Sequence, residues 1–167
     1  MQPTVGQVLI LDRIFSRMKN SMFGSENSDL CWCLAENMIA IEDTLKAYYT
    51  VKNGDDKAKK YREEKDNLIA QGVERDEHGA PIQKEVSPDV FHVAVRDPEH
   101  LKSALSSLSS DNPGMDEELE RLDKMAANLR GKPADVHLSP LKKSWLSSMS
   151  MTPGEIKLLI SLDVIEG

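Results

Sequence analysis

Cysteine is scarce in this chain: among 167 residues only Cys31 and Cys33 carry thiols, with Trp32 between them. A disulfide scaffold is therefore excluded, and a reducing cytoplasm is the expected home. Long apolar runs are missing as well. No window reaches the ~18 consecutive apolar residues that a membrane span needs. At the start of the chain the apolar residues stop at Leu11 and Asp12 and Arg13 follow at once, unlike the apolar stretch of a secretory leader. Aromatic residues make up 5% of the chain, which advertises neither a base-stacking platform nor an aromatic ligand pocket. Basic residues are outnumbered, 21 against 28 acids for a net charge of −7, so a broad footprint for nucleic-acid phosphate is not expected. Phosphate-cradling glycine loops, the GxSxG elbow, HExxH and the EF-hand loop are all absent from the sequence, which removes the motif-based arguments for catalysis.

What is present reads as helix. The apolar share of 40% and charged share of 29% are those of globular chains, and a chain of this length buries roughly 70% of its unfolded surface, enough for a core without staples. Val8, Leu11, Phe15, Met18 and Met22 recur at steps of three and four, which predicts an amphipathic helix over 4–19, although Val8–Leu11 also suits a short strand. Asn20 to Ser28, with Gly24 inside, reads as a loop. A second helix starts at Ser28 or Asp29, either of which can cap it, and carries a seam of Leu34, Met38, Ile41, Leu45 and Tyr48. Asn53-Gly54-Asp55-Asp56 offers a stop and a new cap. From Lys57 to Gln71 the chain is highly charged, with a narrow stripe of Ala58, Tyr61, Leu68 and Ile69. Two antiparallel helices or one long helix weakened at Gly54 both follow from this; the hairpin is preferred, because each narrow stripe needs a partner.

After Gly72 the pattern changes. Val73 to Ile82 reads as two extended arms around a turn at Gly79, and Val90 to Val95 is the best strand candidate, bounded by Pro88 and Pro98. Helices then return with clear start signals. Asp97-Pro98-Glu99 opens a helix with Leu101, Leu105 and Leu108 on one face, broken by Ser109 to Gly114. Met115 to Arg130 is a second, ended by Gly131 and Pro133; Ser139-Pro140 opens a short third through Trp145 and Leu146. Thr152-Pro153-Gly154-Glu155 is a capping box ahead of Ile156, Leu159 and Ile160. The expected class is mostly α with a small β element: a helical hairpin or bundle, a sheet of two or three strands, and C-terminal helices. Three segments, 1–71, 72–96 and 97–167, are expected to form one structural unit.

The candidate site residues are few. Cys31 and Cys33 are one pair with a single-residue spacing, and on a helix their thiols turn about 200° apart, whereas a metal site needs three or four converging ligands. His78, His92, His100 and His137 are scattered without metal-site spacing. Neither a metal nor any other cofactor is called for, and no residue is assigned a catalytic role. Adjacent acids such as Asp55-Asp56, Glu63-Glu64 and Asp116-Glu117-Glu118 read as solvated helix face. Lys57, Lys59, Lys60 and Arg62 are interleaved with acids, which intrahelical pairing explains. The partner-facing candidates are Leu34, Ile41, Tyr48, Tyr61 and Leu68, from the two narrow stripes; the ligand-site candidates are His92, His100, Lys142 and Lys143.

The order of elements resembles small accessory proteins of tailed bacteriophages and prophages. The resemblance is carried by the turn Asp76-Glu77-His78-Gly79-Ala80-Pro81-Ile82, the strand Val90 to Val95, the capped helix from Asp97, and the tail from Leu138-Ser139-Pro140 through Thr152-Pro153-Gly154-Glu155-Ile156. The chain departs from that pattern at Cys31-Trp32-Cys33 and in the serine-rich stretch Ser103 to Ser110. The resemblance implies a context, bacterial cytoplasm, and transfers no functional residue. The leading expectation is a non-enzymatic protein that acts by protein–protein interaction, with a virion component, a host defence protein or a second copy as partner, and no membrane. Acidic character suits a basic partner surface. The alternative is a binder of a small ligand such as a nucleotide signal, held at the helix starts near Asp97 and Thr152 with Lys142 and Lys143 nearby. An enzyme using His92 or His100 ranks third, and direct nucleic-acid binding last.

Overall fold

Val8, Leu11, Ile14, Phe15 and Met18 all lie on one side of a helix, and the chain buries every one of them. A computed structural model describes residues 2–21, 28–87, 90–147 and 149–166. They form α1 (Val5–Ser21), α2 (Ser28–Asn53), α3 (Asp56–Gly72), β1 (Gln83–Ser87), β2 (Val90–Val93), α4 (Pro98–Asp111), α5 (Met115–Arg130), β3 (Leu141–Lys142), α6 (Lys143–Leu146), α7 (Pro153–Ser161) and β4 (Ile165–Glu166). The class is mostly α with a small antiparallel sheet. The compact units follow other lines than the three sequence segments: one comprises Met1–Lys52 and Lys124–Gly167, the other Asn53–Asp123. The sheet segment lies wholly within the second unit, and the boundary on the C-terminal side falls inside α5.

In the first unit, α1 is helical throughout, so the strand alternative for Val8–Leu11 is not taken; Met22 and most of the loop after it lie outside the described residues. Thr4 and Gln7 form a capping box at its start: the Gln7 N–H donates to Thr4 Oγ1 at 3.2 Å, and the Thr4 N–H to Gln7 Oε1 at 2.8 Å. The core adds Leu30, Leu34 and Ile41 of α2, Ala134, Val136 and Leu141 of the segment after α5, and Leu159, Leu162 and Val164 at the C-terminal end. Each of these side chains larger than alanine contributes roughly 1.5–3 kcal/mol by leaving water.

The segment after α5 runs extended across α2 and is fastened there by Asn37, the one buried polar side chain among the described residues. Its amide Nδ2 donates to the Ser139 carbonyl at 2.9 Å, and its Oδ1 accepts from the Ser139 N–H at 2.7 Å, the two bonds a neighbouring strand would make. Cys33 packs one turn earlier, its Sγ 3.5 Å from the Pro140 carbonyl. Beyond this clip Leu141 and Lys142 pair in parallel with Ile165 and Glu166. A helix opening at Ser139-Pro140 is therefore corrected: those residues and the next two are extended, and α6 begins only at Lys143. The chain reverses after α7 through a Schellman ending, with Asp163 at φ 55 where glycine is commoner. The Val164 N–H reaches the Leu159 carbonyl at 2.9 Å and the Asp163 N–H reaches Ile160 at 3.1 Å.

In the second unit, Asp55 caps α3 by accepting from the Ala58 N–H at 2.8 Å. Gly54 before it sits at φ +69, and a Cβ there would stand 2.6 Å from a Leu122 methyl, so both conformation and space require glycine. The first half of the α3 stripe is covered within this unit: Ala58 and Tyr61 pack with Met115, Leu119 and Leu122 of α5, and Leu108 of α4 lies against them, while Leu68 is half-buried and Ile69 exposed. The α2 seam is buried in the core of the first unit, so the two stripes belong to different cores.

The turn at Asp76–Ala80 forms as expected, with Gly79 at φ +80 and the Asp76 carboxylate accepting from the His78 and Ala80 N–H groups. Its arms make only single bridges, Arg75 to Pro81 and Val73 to Val95. The antiparallel ladder is instead β1 with β2, pairing Gln83 with Val93, Lys84 with His92 and Glu85 with Phe91. β1 is a polar stretch whose pairing with β2, rather than its own propensity, makes it a strand. The Asp97 cap and Pro98 stand as read from the sequence, and α4 runs on to Asp111 before breaking.

Replacing Asn37 with alanine leaves the Ser139 N–H and carbonyl without partners and is expected to cost about 2 kcal/mol. Urea unfolding followed by circular dichroism measures this, and an unchanged midpoint would show that the clip is not a stabilising contact.

Candidate functional site

Most of the partner-facing candidates on the α2 seam and α3 stripe are turned inward. Leu34, Ile41 and Tyr48 are buried in the first unit and Tyr61 in the second, while Leu68 is half-buried. The reason is that the heptad spacing of a core-facing seam and of a partner-facing seam is the same, and here the chain's own side chains fill it. Tyr48 is held internally: its hydroxyl accepts from Arg130 Nε at 3.1 Å and Nη2 at 3.0 Å, and the guanidinium lies 5.8 Å from the ring centroid.

Each of the ligand-site candidates is exposed. His92 and His100 are exposed in the second unit, and Lys142 and Lys143 belong to the first. Both helix starts are closed by their own side chains. The Asp97 carboxylate accepts from the His100 N–H at 2.9 Å. Thr152 Oγ1 accepts from the Glu155 N–H at 3.3 Å, while Glu155 takes the Thr152 N–H at 2.8 Å and the Arg17 guanidinium at 2.7 Å. The Thr152 backbone and then Arg17 hold the Glu155 carboxyl below its ordinary value, so a negative charge already occupies that helix start. Lys142 lies over the Trp145 ring, 5.1 Å from its centroid. Among the described residues no three His, Cys, Asp or Glu side chains converge as a metal site would require, and no helix is long and apolar enough to cross a membrane.

In the second unit an open groove of about 670 Å³ runs along α4, lined by Leu101, Lys102, Leu105, Ser109 and Asp116 among others. Asp116 is the polar centre of this region. Lys65 Nζ donates to it at 2.6 Å and Ser109 Oγ at 2.7 Å, and the buried Tyr61 hydroxyl is also bonded to it. The Lys65 ammonium, then the Ser109 hydroxyl, hold the Asp116 carboxyl at about 2. A carboxylate that reluctant to take a proton is a poor general base for the serine beside it. The cluster ties α3, α4 and α5 together.

A second concavity lies within the first unit and has a different character. Leu146, Met149, Met151, Ile156, Ile160 and Ile165 wall a groove of about 490 Å³, with Lys143 and Ser147 also lining it. α7 presents apolar residues in two directions: Leu159 is fully buried, whereas Ile156 is 40% and Ile160 59% exposed. The segment between α6 and α7 contributes Met149 and Met151, and β4 brings Ile165 to the same wall through its pairing with β3. Among the described residues no aromatic ring and no carboxylate lines it. Flexible methionines beside fixed isoleucines suit apolar groups of varying shape.

In the sequence Ile156, Leu159 and Ile160 read as the apolar face behind the capping box, and the structure buries Leu159 alone of the three. The signal for a second face is Pro153–Leu162 itself, in which Leu158, Leu159 and Ile160 are consecutive and Ile156 and Leu162 flank them. One core-facing stripe cannot take them all. Comparison with family models, curated proteins and solved structures finds no match to this chain.

The acid limb of stability follows from Asp116. Its folded value lies below the ordinary 3.8, so its contribution is complete above that value and is lost as pH falls towards about 2. Urea midpoints measured between about pH 5 and pH 2 should fall more steeply for the natural protein than for Asp116→Asn. Parallel slopes would remove the ion pair from the account.

Proposed function

We propose that the protein is a non-enzymatic interaction module whose first unit receives an apolar segment of a partner protein in the Met149–Ile160 groove. The observation that carries this reading is the pair Ile156 and Ile160, one helical turn apart on α7 and left open beside a concave apolar wall. That spacing matches the i and i+4 anchors of an amphipathic helix laid in a groove. The net charge of −7 favours a partner whose wider surface is basic. With the phage-like order of elements as context, the partner is a virion component or a host defence protein, met in the bacterial cytoplasm.

A nucleotide-signal binder is the weaker reading. A nucleotide offers phosphates and a planar base, and among the described residues the groove supplies no aromatic face. An enzyme is weaker still: in the Ser109–Asp116 pair the carboxylate is held at about 2.

The methyl groups of Met149 and Met151 provide the test. In methyl NMR they should shift on titration with an amphipathic helical peptide carrying leucines at i and i+4 and lysines elsewhere. A nucleotide panel should leave them in place. Ile160→Lys, at an exposed position, should weaken the peptide at least tenfold, equivalent to about 1.4 kcal/mol, without changing the circular dichroism. Peptides that bind equally well to Ile160→Lys, or nucleotides that shift the methionines where peptides do not, would overturn the assignment.

A further inference from the structure

The outer face of α2 carries the two most exposed large apolar side chains among the described residues, Trp32 at 72% and Ile39 at 69%. They stand seven residues apart, two helical turns, on the side of α2 opposite the buried Leu34, Ile41 and Tyr48. Seven residues beyond Ile39 on the same line is exposed Lys46, and the flanking positions hold Ala35, Glu36, Glu42 and Asp43, all exposed. The face is thus an apolar centre with an indole at one end and an ammonium at the other, equally distant from Ile39.

We infer that this face is where two copies of the chain meet, α2 against α2 and antiparallel, with the two-fold axis passing at Ile39. An antiparallel pair about that axis brings residues equally far before and after Ile39 opposite one another. Ile39 meets the partner's Ile39, and each Trp32 meets the partner's Lys46. A lysine ammonium over an indole face is a favourable contact, and the chain already makes one between Lys142 and Trp145 at 5.1 Å. Glu36, one turn from Trp32, accepts from its own chain's Ser139 Oγ at 3.1 Å with Oε2 and has its other oxygen within reach of the same partner's Lys46, and small Ala35 lies opposite the partner's Asp43. The one opposed like-charged pair is Glu36 with the partner's Glu42, and Lys46 lies near both. A parallel arrangement is worse throughout, because it sets Lys46 on Lys46 and Asp43 on Asp43. Two helix faces of this length bury less than the ~1,600 Å² of a standard interface, so the dimer is a weak one with Kd of roughly 10–100 µM. The face is separate from the Met149–Ile160 groove, and the two assignments stand or fall independently.

Sedimentation of the full chain from micromolar to millimolar concentration should show a monomer–dimer equilibrium. Ile39→Lys and Trp32→Ser should each remain monomeric over that range with unchanged circular dichroism, and Lys46→Glu should weaken the dimer at least tenfold. The register is tested with Ile39→Cys in a Cys31→Ser background: a residue on the axis cross-links its own copy under mild oxidation. In the natural protein, Cys31 stands about 24 Å from the partner's Cys31 in the antiparallel pair, at 1.5 Å per residue, and should not cross-link. A monomer at millimolar concentration overturns the inference. So does a dimer that survives Ile39→Lys, which puts the contact on another face; loss of that dimer in Ile160→Lys would locate it in the groove. Rapid disulfide dimerisation through Cys31 would mark a parallel pair and overturn the proposed geometry.

Discussion

The paired hydrogen bonds between the Asn37 amide and the Ser139 backbone are the contact on which the first unit's C-terminal half depends. An extended segment without a sheet neighbour has N–H and carbonyl groups to satisfy, and burying them unpaired costs free energy comparable to a lost hydrogen bond. Asn37 supplies one donor and one acceptor from the middle of a helix, in the spacing a strand would offer. Once Ser139 is fixed there, Leu141 follows into the core and its N–H meets the Val164 carbonyl at 2.6 Å. That pairing sets the direction of the last residues, and with them the place of Ile165. The groove is a consequence of this order. α7 must bury Leu159 against the core, and at about 100° per residue Ile156 and Ile160 then fall together on an adjoining side, about 60° and 100° from it.

The second unit solves a similar problem with charge. α3 is too polar to be held by its apolar stripe alone, since only Ala58 and Tyr61 are buried on it. Its attachment is completed by ionic contacts at the edge of that small core. Lys65 reaches Asp116, and the Arg62 guanidinium reaches Asp123 at 3.0 Å. These pairs are partly exposed, so each is worth little in isolation. Asp116 differs because three side chains converge on it, and a network of satisfied partners orders its neighbours more than any one pair does.

Helix boundaries were legible because their causes are local. Asp55, Asp97 and Thr152 each cap the helix that their sequence context announces, since the capping bond spans only three residues. The Gly79 turn was legible for the same reason. What was not legible involves partners distant along the chain. β1 is a strand because β2 is beside it, and Leu141–Lys142 is extended because Ile165–Glu166 accepts it. Asn37 reads as an ordinary polar position within a helix until the residue it meets, 102 positions away, is known. The division into units is hidden likewise, because it groups the start of the chain with its end.

The seam on α2 shows why period alone does not separate core from interface. Leu34, Ile41 and Tyr48 have the spacing of a docking stripe, yet they are inside. The informative residues were those off the seam. A helix whose core face is already supplied has no internal use for a further tryptophan and isoleucine on the opposite side, where exposing them costs solubility and gains nothing in packing. The same reasoning applies to α7, where Leu159 satisfies the core and Ile156 and Ile160 remain. In both helices the surplus apolar residue, rather than the periodic one, marks surface that is exposed among the described residues.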